Sequence, residues 1–495
     1  MRKIWKKFFL CTIVALCTML SFTVNFSVMQ ASAAGGTGGI HVEDGSGVDI
    51  NGGILQDNDI AIVVDAGMQT IDGLTIANST NGAVYVKTGA NVVLNNCKLV
   101  NNINAKNGGA IYVHSGATLT INNSYIANNQ STKNGGAIYV EEGASVIIDN
   151  NTDILTNKAV NGGAIYLCNN ASLTIGDAKF SKNEATSNGG AIYLNNNGIA
   201  AATQSIIAEN KAENGAGVFV NCDNEQVTSI NLSGVTIANN TATNGGAIAV
   251  DWKVDNADAA LSVSNMVLLD NTATNGGGIY IVPKAVSNNI NLTFNNVSVK
   301  ENNATNGAGL YYVGSSLKYI VTITETSEIK GNTAVNGGGM YCGNLSNITC
   351  TGQLIVENNA TNGGGVYLDN TSAETVIEGL YIAGNTATNG GGLYIKNTGK
   401  LEMKNCVVEN NNATNGGGVY IASGDNTFTA CTITANSANY GGGVYIASKT
   451  TLNEGTVIAE NIAYVTGGGI TIADNVSVTM SSVEIKNNLI MYKQA

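Results

Sequence analysis

The stretch ENNATNGGGVYL, residues 357–368, is one copy of a unit that recurs along most of this chain. After its Asn-Gly-Gly turn, the apolar Val366 and Leu368 flank Tyr367. Apolar residues at every second position predict a β-strand whose apolar side chains face inward, so Tyr367 is expected to face outward. A phosphate-binding loop needs a Lys and a Ser or Thr directly after its glycines, and this unit has neither there. The recurring turn is therefore interpreted as scaffold and not as a nucleotide site.

The tyrosine position of the unit forms a column along the chain, with successive members 25 to 31 residues apart. Two more short segments follow in each unit, as at residues 118–121 (TLTI) and 180–183 (FSKN). Three short strands in roughly 27 residues predict one coil of a parallel β-helix, which buries its apolar face by stacking on neighbouring coils. We therefore predict an all-β solenoid of about 15 to 17 coils with three short strands per coil. The column consists of Tyr85, Tyr112, Tyr139, Tyr166, Tyr193, Phe219, Ala249, Tyr280, Tyr311, Tyr341, Tyr367, Tyr394, Tyr420, Tyr445 and Thr471.

The asparagine that opens each turn has a predicted structural role. Asn tolerates left-handed backbone angles, and Gly adopts angles that other residues cannot. Stacked coils would also allow each side-chain amide to bond to the same amide one coil away, which satisfies polar groups in a dry turn. The turn residues assigned on this basis are Asn107, Asn134, Asn161, Asn362, Asn389 and Asn415.

Two half-motifs in the repeat resemble those of a known family. Gly-Gly-Ala-Ile occurs at residues 108–111, 135–138, 162–165 and 189–192, and a Phe-x-x-Asn partner occurs at residues 180–183. Together they resemble the repeat of the polymorphic outer membrane proteins, although Ile, Val or Leu replaces the Phe in most units here. The resemblance covers about residues 80–488. It implies a right-handed parallel β-helix at the cell surface, used as an adhesin or passenger domain.

The ends of the chain differ from the repeats. Basic residues, an apolar run over residues 8–28 and the small residues 31–33 (ASA) predict a secretory signal peptide at residues 1–33. Residues 34–79 are predicted to form an N-terminal cap with the first coils, and residues 80–472 the β-helix repeats. Residues 473–495 are expected to form a last partial coil with no recognisable anchor. The predicted location is extracellular or on the cell surface.

The composition excludes several classes of partner. With 44% apolar and 12% charged residues, the chain has enough apolar surface to fold. Without the predicted signal peptide it has 19 Lys, no Arg and 35 acidic residues. Nucleic acid and anionic membranes require cationic contacts, so neither is expected as a partner. The cysteines show no CxxC spacing, and no metal or cofactor is predicted. Cys406 and Cys431 lie one coil apart, where either a disulfide or two free thiols would be possible.

A carbohydrate-active enzyme is the alternative function, because many enzymes with a β-helix fold cleave pectin-like polysaccharides. A glycosidase needs two carboxylates at a fixed separation. Asp270 and Glu301 occupy equivalent positions in adjacent coils, directly before an Asn, and are the candidate acid and base. Ordinary surface carboxylates would show the same pattern.

The outward tyrosine column is the stronger candidate for binding. Repeated rings form an aromatic strip that could stack on sugar faces, or the rings could stack on one another and stiffen the sheet. The units between Phe219 and Tyr341 are longer, and their extra residues include Trp252, so we predict that Trp252 and Tyr280 belong to the most ligand-specific region. The candidate binding residues are Tyr280, Tyr311, Tyr341, Tyr367, Tyr394, Tyr420 and Trp252.

The leading functional hypothesis is a secreted or cell-surface rod that is structural or adhesive and not an enzyme. Its expected partner is a glycan or a protein on a host or neighbouring cell. An unpaired coil at one end is also a template for end-to-end self-association.

Overall fold

The computed structural model describes residues 39–44, 50–149, 151–196, 200–201, 205–223, 229–253, 259–283, 290–314, 319–324, 327–344, 347–350, 354–370 and 374–491. The predicted signal peptide lies outside the described residues. Throughout the described ranges the regular secondary structure consists of short β-strands, and every strand pairing is parallel. In these ranges the chain also has no helix with the length and apolar character needed to span a membrane.

The first strand of each coil carries the tyrosine position, and these strands form what we call the tyrosine sheet. Each pairs with its counterpart one coil away without a shift in register, so that Tyr112 lies beside Tyr85 and Tyr139. Its strands are Ile40–Val42, Ile62–Val64, Val84–Val86, Ile111–Val113, Ile138–Val140, Ile165–Leu167, Ile192–Asn195, Val218–Cys222, Ile248–Trp252, Ile279–Ile281, Leu310–Val313, Met340–Gly343, Val366–Asn370, Val444–Ile446 and Ile470–Ile472.

The second strand of each coil forms a second parallel sheet. Two long strands, Leu393–Lys404 and Val419–Thr429, run from the tyrosine sheet directly into it. Its separate strands are Ile50–Asn51, Met68–Asp72, Asn91–Asn95, Thr118–Asn122, Ser145–Asp149, Ser172–Ile175, Ala200–Ala201, Ser229–Ser233, Tyr319–Ile323, Asn347–Cys350, Glu374–Glu378, Thr450–Leu452 and Val478–Met480.

The third strand of each coil forms a third parallel sheet, and a buried asparagine follows this strand. Two long strands, Ala259–Leu269 and Ile290–Lys300, belong to both the second and the third sheets. Its separate strands are Ile54–Gln56, Thr75–Ala77, Lys98–Val100, Tyr125–Ala127, Thr152–Leu155, Ala178–Ser181, Ser205–Ala208, Val235–Ala238, Glu328–Lys330, Leu354–Val356, Tyr381–Ala383, Val407–Glu409, Thr432–Thr434, Val457–Ala459 and Glu484–Lys486.

A fourth, shorter column of parallel pairs precedes each glycine turn, and it was not among the three predicted strands. The Asn-Ala-Thr-Asn segments are extended enough to pair with their copies, as Asn359 does with Thr386. Isolated bridges link the copies in the longer coils, as between Asn275 and Asn306. Its strands are Ile103–Asn104, Gln130–Ser131, Lys158–Asn161, Glu184–Asn188, Asn359–Asn362, Thr386–Asn389, Asn412–Asn415, Ser437–Tyr440, Ile462–Thr466 and Leu489–Ile490.

The core is a continuous apolar column enclosed by the sheets, extending from Val42 to Ile458. In the quoted stretch, Val366 and Leu368 are buried in this core, as the alternation predicted. The prediction of an all-β parallel solenoid is therefore confirmed.

The glycines of the quoted turn are required by its geometry. Gly363 has a φ of 64°, and a Cβ there would lie 2.2 Å from the carbonyl oxygen of Val366. A Cβ on Gly364 would lie 2.4 Å from the carbonyl oxygen of Gly391 in the next coil. Both distances are far below a permitted contact, so side chains are excluded both by the local turn and by the neighbouring coil.

Candidate functional site

A ladder of buried asparagines runs along the rod beside the third sheet. The backbone N–H of Asn358 donates to Oδ1 of Asn385 at 2.9 Å, and its Nδ2 donates to the same oxygen at 3.0 Å. The Nδ2 also donates to the carbonyl oxygen of Ile329 in the preceding coil. The same pattern links Asn102 to Asn129 at one end and Asn461 to Asn488 at the other. Each amide thus joins three consecutive coils, which gives these asparagines a structural role.

The six asparagines predicted as turn residues lie outside this buried ladder, in the fourth column. They are partly buried, and single hydrogen bonds link them from one coil to the next. For example, Nδ2 of Asn389 donates to Oδ1 of Asn362 at 2.9 Å. Asn415 donates to Asn389 in the same way, and Asn161 donates to Asn134. The backbone N–H of Asn134 donates to Oδ1 of Asn107 at 3.3 Å.

The tyrosine column is a stack of rings, which we call the ring stack. Tyr367 and Tyr394 have centroids 5.0 Å apart and planes within 3° of parallel. Centroid separations between adjacent rings range from 4.4 Å, for Tyr166 and Tyr193, to 5.5 Å, for Tyr139 and Tyr166. The predicted binding tyrosines from Tyr280 to Tyr420 form one uninterrupted part of it. Tyr112 and Tyr139 are tilted by 43° to one another. From Tyr280 to Tyr445 each ring covers the faces of its neighbours, so that in this part of the stack the ring edges point outward.

The surroundings of Tyr341 and Tyr367 in the ring stack keep their hydroxyl groups protonated. Burial raises the pKa of Tyr367 to about 12. Burial also raises the pKa of Tyr341, whose hydroxyl donates to Oδ2 of Asp369 at 2.9 Å. The column therefore presents neutral phenol groups, although the predicted mature chain is acidic.

The ring stack is interrupted at Ala249. Phe219 stacks on Tyr193 at 5.2 Å, and Tyr280 stacks on Tyr311 at 5.3 Å. Strand pairing places Ala249 between Phe219 and Tyr280, in the position where a ring would otherwise lie. A cavity of about 330 Å³ lies beside this position, while Ala249 and Phe219 themselves are buried and Tyr280 packs against them. It is lined by Tyr193, Phe219, Ala249, Asp251, Lys253 and Tyr280, together with Ser187, Asn188, Asn214, Val250 and Val282.

One wall of this cavity carries a pair of opposite charges. Asp251 lies on the strand Ile248–Trp252 and Lys253 follows directly after its end, and their side chains form an ion pair at 3.2 Å. The Nζ of Lys253 also donates a hydrogen bond to Oδ1 of Asn221. The cavity therefore combines aromatic walls with adjacent hydrogen-bond donors and acceptors.

The prediction that Trp252 lies in a binding region is wrong. Its side chain is 1% exposed and belongs to the core. The strand Ile248–Trp252 extends two residues past Val250, which flanks the column position Ala249, because it pairs with Val218–Cys222, where Cys222 lies beside Trp252. Period-two alternation then places Ile248, Val250 and Trp252 inward and leaves Asp251 facing outward.

Asp270 and Glu301 lie where the spacing predicted, in equivalent positions of adjacent coils. Each has a left-handed backbone, with φ of 54° and 55°, at the turn before a buried asparagine. Both side chains are exposed, and neither lines the cavity at Ala249. The pair is thus brought together on an open turn and not in a cleft.

A second group of titratable side chains lies near the N-terminal part of the ring stack. Tyr112 donates a hydrogen bond to Oε1 of Glu141, and Nδ1 of His114 lies 3.3 Å from Oε2 of the same carboxylate. Lys87 lies on the other side of the imidazole, with Nζ 3.4 Å from Nε2. Burial, followed by the charge of Lys87, lowers the pKa of His114. The group is a hydrogen-bonded network whose members already bind one another.

Six cysteines have described side chains and none of these six forms a disulfide: Cys97, Cys168, Cys222, Cys342, Cys406 and Cys431. Cys406 and Cys431 are both buried, one coil apart, and do not form a disulfide. Among the described residues, no three or more His, Cys, Asp or Glu side chains are grouped so that they could hold a metal ion.

Comparison with known proteins supports the fold. A family model described as a right handed beta helix region matches residues 60–231, 293–461 and 353–492, which together make up most of the chain. The match agrees with the predicted handedness of the coil. Neither the curated proteins nor the solved structures gave a match to this chain.

Proposed function

Because the chain belongs to the right handed beta helix family, we propose that it is a secreted or cell-surface rod that mediates surface contacts and is not an enzyme. In this proposal the repeats are of the adhesin-like type found in the polymorphic outer membrane proteins. The partner is a glycan or a protein on a host cell or a neighbouring cell.

The observation that carries this proposal is the uniformity of the ring stack. From Tyr280 to Tyr445 every coil places a tyrosine at the same position with nearly parallel rings. An enzyme concentrates its chemistry in one constellation of side chains, whereas this face repeats the same neutral aromatic edge from coil to coil. A repetitive face of this kind suits an extended partner that makes many equivalent weak contacts.

A polysaccharide-cleaving enzyme is the second candidate, and one observation favours it. Asp270 and Glu301 occupy one column in adjacent coils, so their backbones are about 5 Å apart. Carboxyl groups of retaining glycosidases are separated by about 5–5.5 Å. The exposed position of both side chains favours the binding function instead, because a catalytic acid needs a desolvated environment to stay protonated.

The two functions are separated by measuring retention and cleavage on the same samples. Purified protein comprising residues 34–495 would be applied to immobilised polysaccharides and to intact cells, and the soluble fraction analysed for released oligosaccharides. We expect retention without cleavage. Cleavage that is lost in Asp270→Asn and in Glu301→Gln would establish the enzyme instead, and absence of retention on every surface would refute the binding function.

A further inference from the structure

We propose that one exposed face of the fourth column binds ice. This face, which we call the threonine face, consists of the outward first and third residues in the segments 241–243, 272–274, 303–305, 333–335, 359–361, 386–388 and 412–414. Ten of these fourteen residues are Thr, three are Asn and one is Val335. Ice binding is a further function, beyond the proposed surface binding, and it does not involve the ring stack.

The threonine face is a regular grid. Its segments pair in parallel from coil to coil, so that Thr272 lies beside Asn303 in the first row. In the second row the backbone N–H of Thr305 donates to the carbonyl oxygen of Thr274 at 2.9 Å. The same register continues into the last segment. Neighbouring side chains are therefore about 4.8 Å apart along the rod and about 6.6 Å apart across it.

The side chains of the grid are accessible and uncharged. Every one of them is exposed, although the predicted mature chain is acidic. Charged residues lie beside the face: Lys211 and Glu213 hold the corresponding positions of the preceding coil, and Glu301 lies at an adjacent turn. Within the described residues, the threonine hydroxyls of the face form no hydrogen bond with another protein group. Each hydroxyl is therefore available to donate to water and to accept from it.

Ice matches this grid in spacing and in chemistry. Water oxygens on the faces of an ice crystal recur at similar spacings in two perpendicular directions. Threonine is β-branched and has few rotamers, so its hydroxyl and methyl groups hold nearly fixed positions on a paired strand. Hydroxyl groups at fixed positions can anchor a first layer of ordered water, and the methyl groups fill the spaces between them. The face is thus organised before it meets the crystal, which lowers the entropic cost of binding.

Other partners fit the threonine face less well. The grid covers about 30 Å by about 10 Å, or about 300 Å². A stable protein interface needs about 800 Å² on each partner. Small sugars bind in concave sites, whereas this face is an open sheet surface. Nucleic acid requires cationic contacts, and the face has none.

The test measures how much protein is taken up by growing ice. Thr333→Lys places a long charged side chain in the central coil of the grid. Thr174→Lys is the matched control, because Thr174 is an exposed outward threonine on the second sheet. Each variant and the unmodified protein, residues 34–495, would be frozen slowly on a cold surface, and protein quantified in the ice and in the remaining liquid. An unrelated globular protein sets the background.

We expect the unmodified protein and Thr174→Lys to enter the ice equally, and Thr333→Lys to enter it about tenfold less. Thermal unfolding verifies that the variants fold, and Thr361→Lys in the next coil replaces Thr333→Lys if that variant is destabilised. Ice binding is refuted if the unmodified protein enters ice no more than the background protein does. It is also refuted if the substitution in the face and the control substitution have equal effects.

Retention on polysaccharides and cells is measured on the same samples. We expect retention to be equal in all three proteins, because the surface partner does not use the threonine face. Retention that is lost in Thr333→Lys alone, without ice uptake by the unmodified protein, would assign the face to the surface partner and refute ice binding. Ice uptake without retention on any surface would refute the surface-binding function and leave ice binding intact.

Discussion

Asn240 donates two hydrogen bonds to a single oxygen of Asn271, from its backbone N–H at 3.0 Å and from its Nδ2 at 2.9 Å. Asn271 repeats both bonds toward Asn302 and donates a third to the carbonyl oxygen of Ile237. An ionised Asp at this position would lack the side-chain N–H donors of Asn. The side chain of Gln is one methylene longer and would not match the spacing between coils. The ladder therefore explains why an asparagine recurs at this position of the coil.

Replacing Asn271 by Ala is expected to lower the free energy of unfolding by about 3 kcal/mol, because buried donors on Asn240 and buried acceptors nearby lose their partners. The matched control is Asn275→Ala in the same coil, where a partly buried amide makes single bonds to Asn244 and Asn306. We expect that loss to be about 1 kcal/mol. Both losses in the free energy of unfolding are measured by urea unfolding, followed by the fluorescence of Trp252, the one tryptophan of the predicted mature chain. Equal losses in the two variants would contradict the assignment of the buried ladder as the main polar support.

Placing a ring at Ala249 is expected to destabilise the rod, because Ala249 and Phe219 are buried together and Tyr280 packs against them. Ala249→Tyr must displace these side chains, which costs about 1–3 kcal/mol. Thr471→Tyr, at a partly exposed position beside Tyr445, should instead gain about 0.5–1.5 kcal/mol from one new ring pair. Thermal unfolding of both variants checks the order of the effects. A higher unfolding temperature for Ala249→Tyr would mean that this position does have room for a ring.

The strands and the core could be predicted from the sequence because both depend on local alternation repeated in register. Val366 and Leu368 are buried on either side of Tyr367 because each coil repeats the same pattern and the pairing does not shift. The buried ladder was visible as a recurring Asn three residues after the third strand's apolar residue. The fourth column was missed because its Asn-Ala-Thr-Asn sequence lacks the apolar alternation that marks a strand.

The candidate site could be predicted only in part. Trp252 was misplaced because the end of its strand is set by pairing with Cys222 in the preceding coil, which the local sequence does not reveal. The importance of Ala249 depends on the stacking of the rings above and below it. The signal for it was present, since Ala249 interrupts a column of rings, but the sequence does not reveal how closely Phe219 and Tyr280 pack around that alanine.

Cys406 and Cys431 are expected to resist alkylation in the native rod, because both thiols are buried in the core. Iodoacetamide treatment before and after unfolding, followed by peptide mass mapping, measures their reactivity. Both should be labelled only after unfolding, and each should gain one label without prior reduction. Labelling that requires a reductant would reveal a disulfide between them and contradict the reduced state of both cysteines in the structure. Cys168, which is partly exposed, provides the internal comparison and should react faster.

Raising the pH should destabilise the rod through its tyrosines. Burial raises the pKa of Tyr166 and of Tyr367 to about 12, whereas tyrosine in an unfolded chain ionises near pH 10. Below about pH 10 both states are protonated and the full stability is present. Between about pH 10 and 12 the unfolded chain releases protons that the folded rod retains, so the free energy of unfolding falls as the pH rises. Tyrosinate absorbance of the folded rod should therefore rise at higher pH than that of the same protein in urea. If the folded and unfolded titration curves coincide, the ring stack does not protect its hydroxyl groups from ionisation.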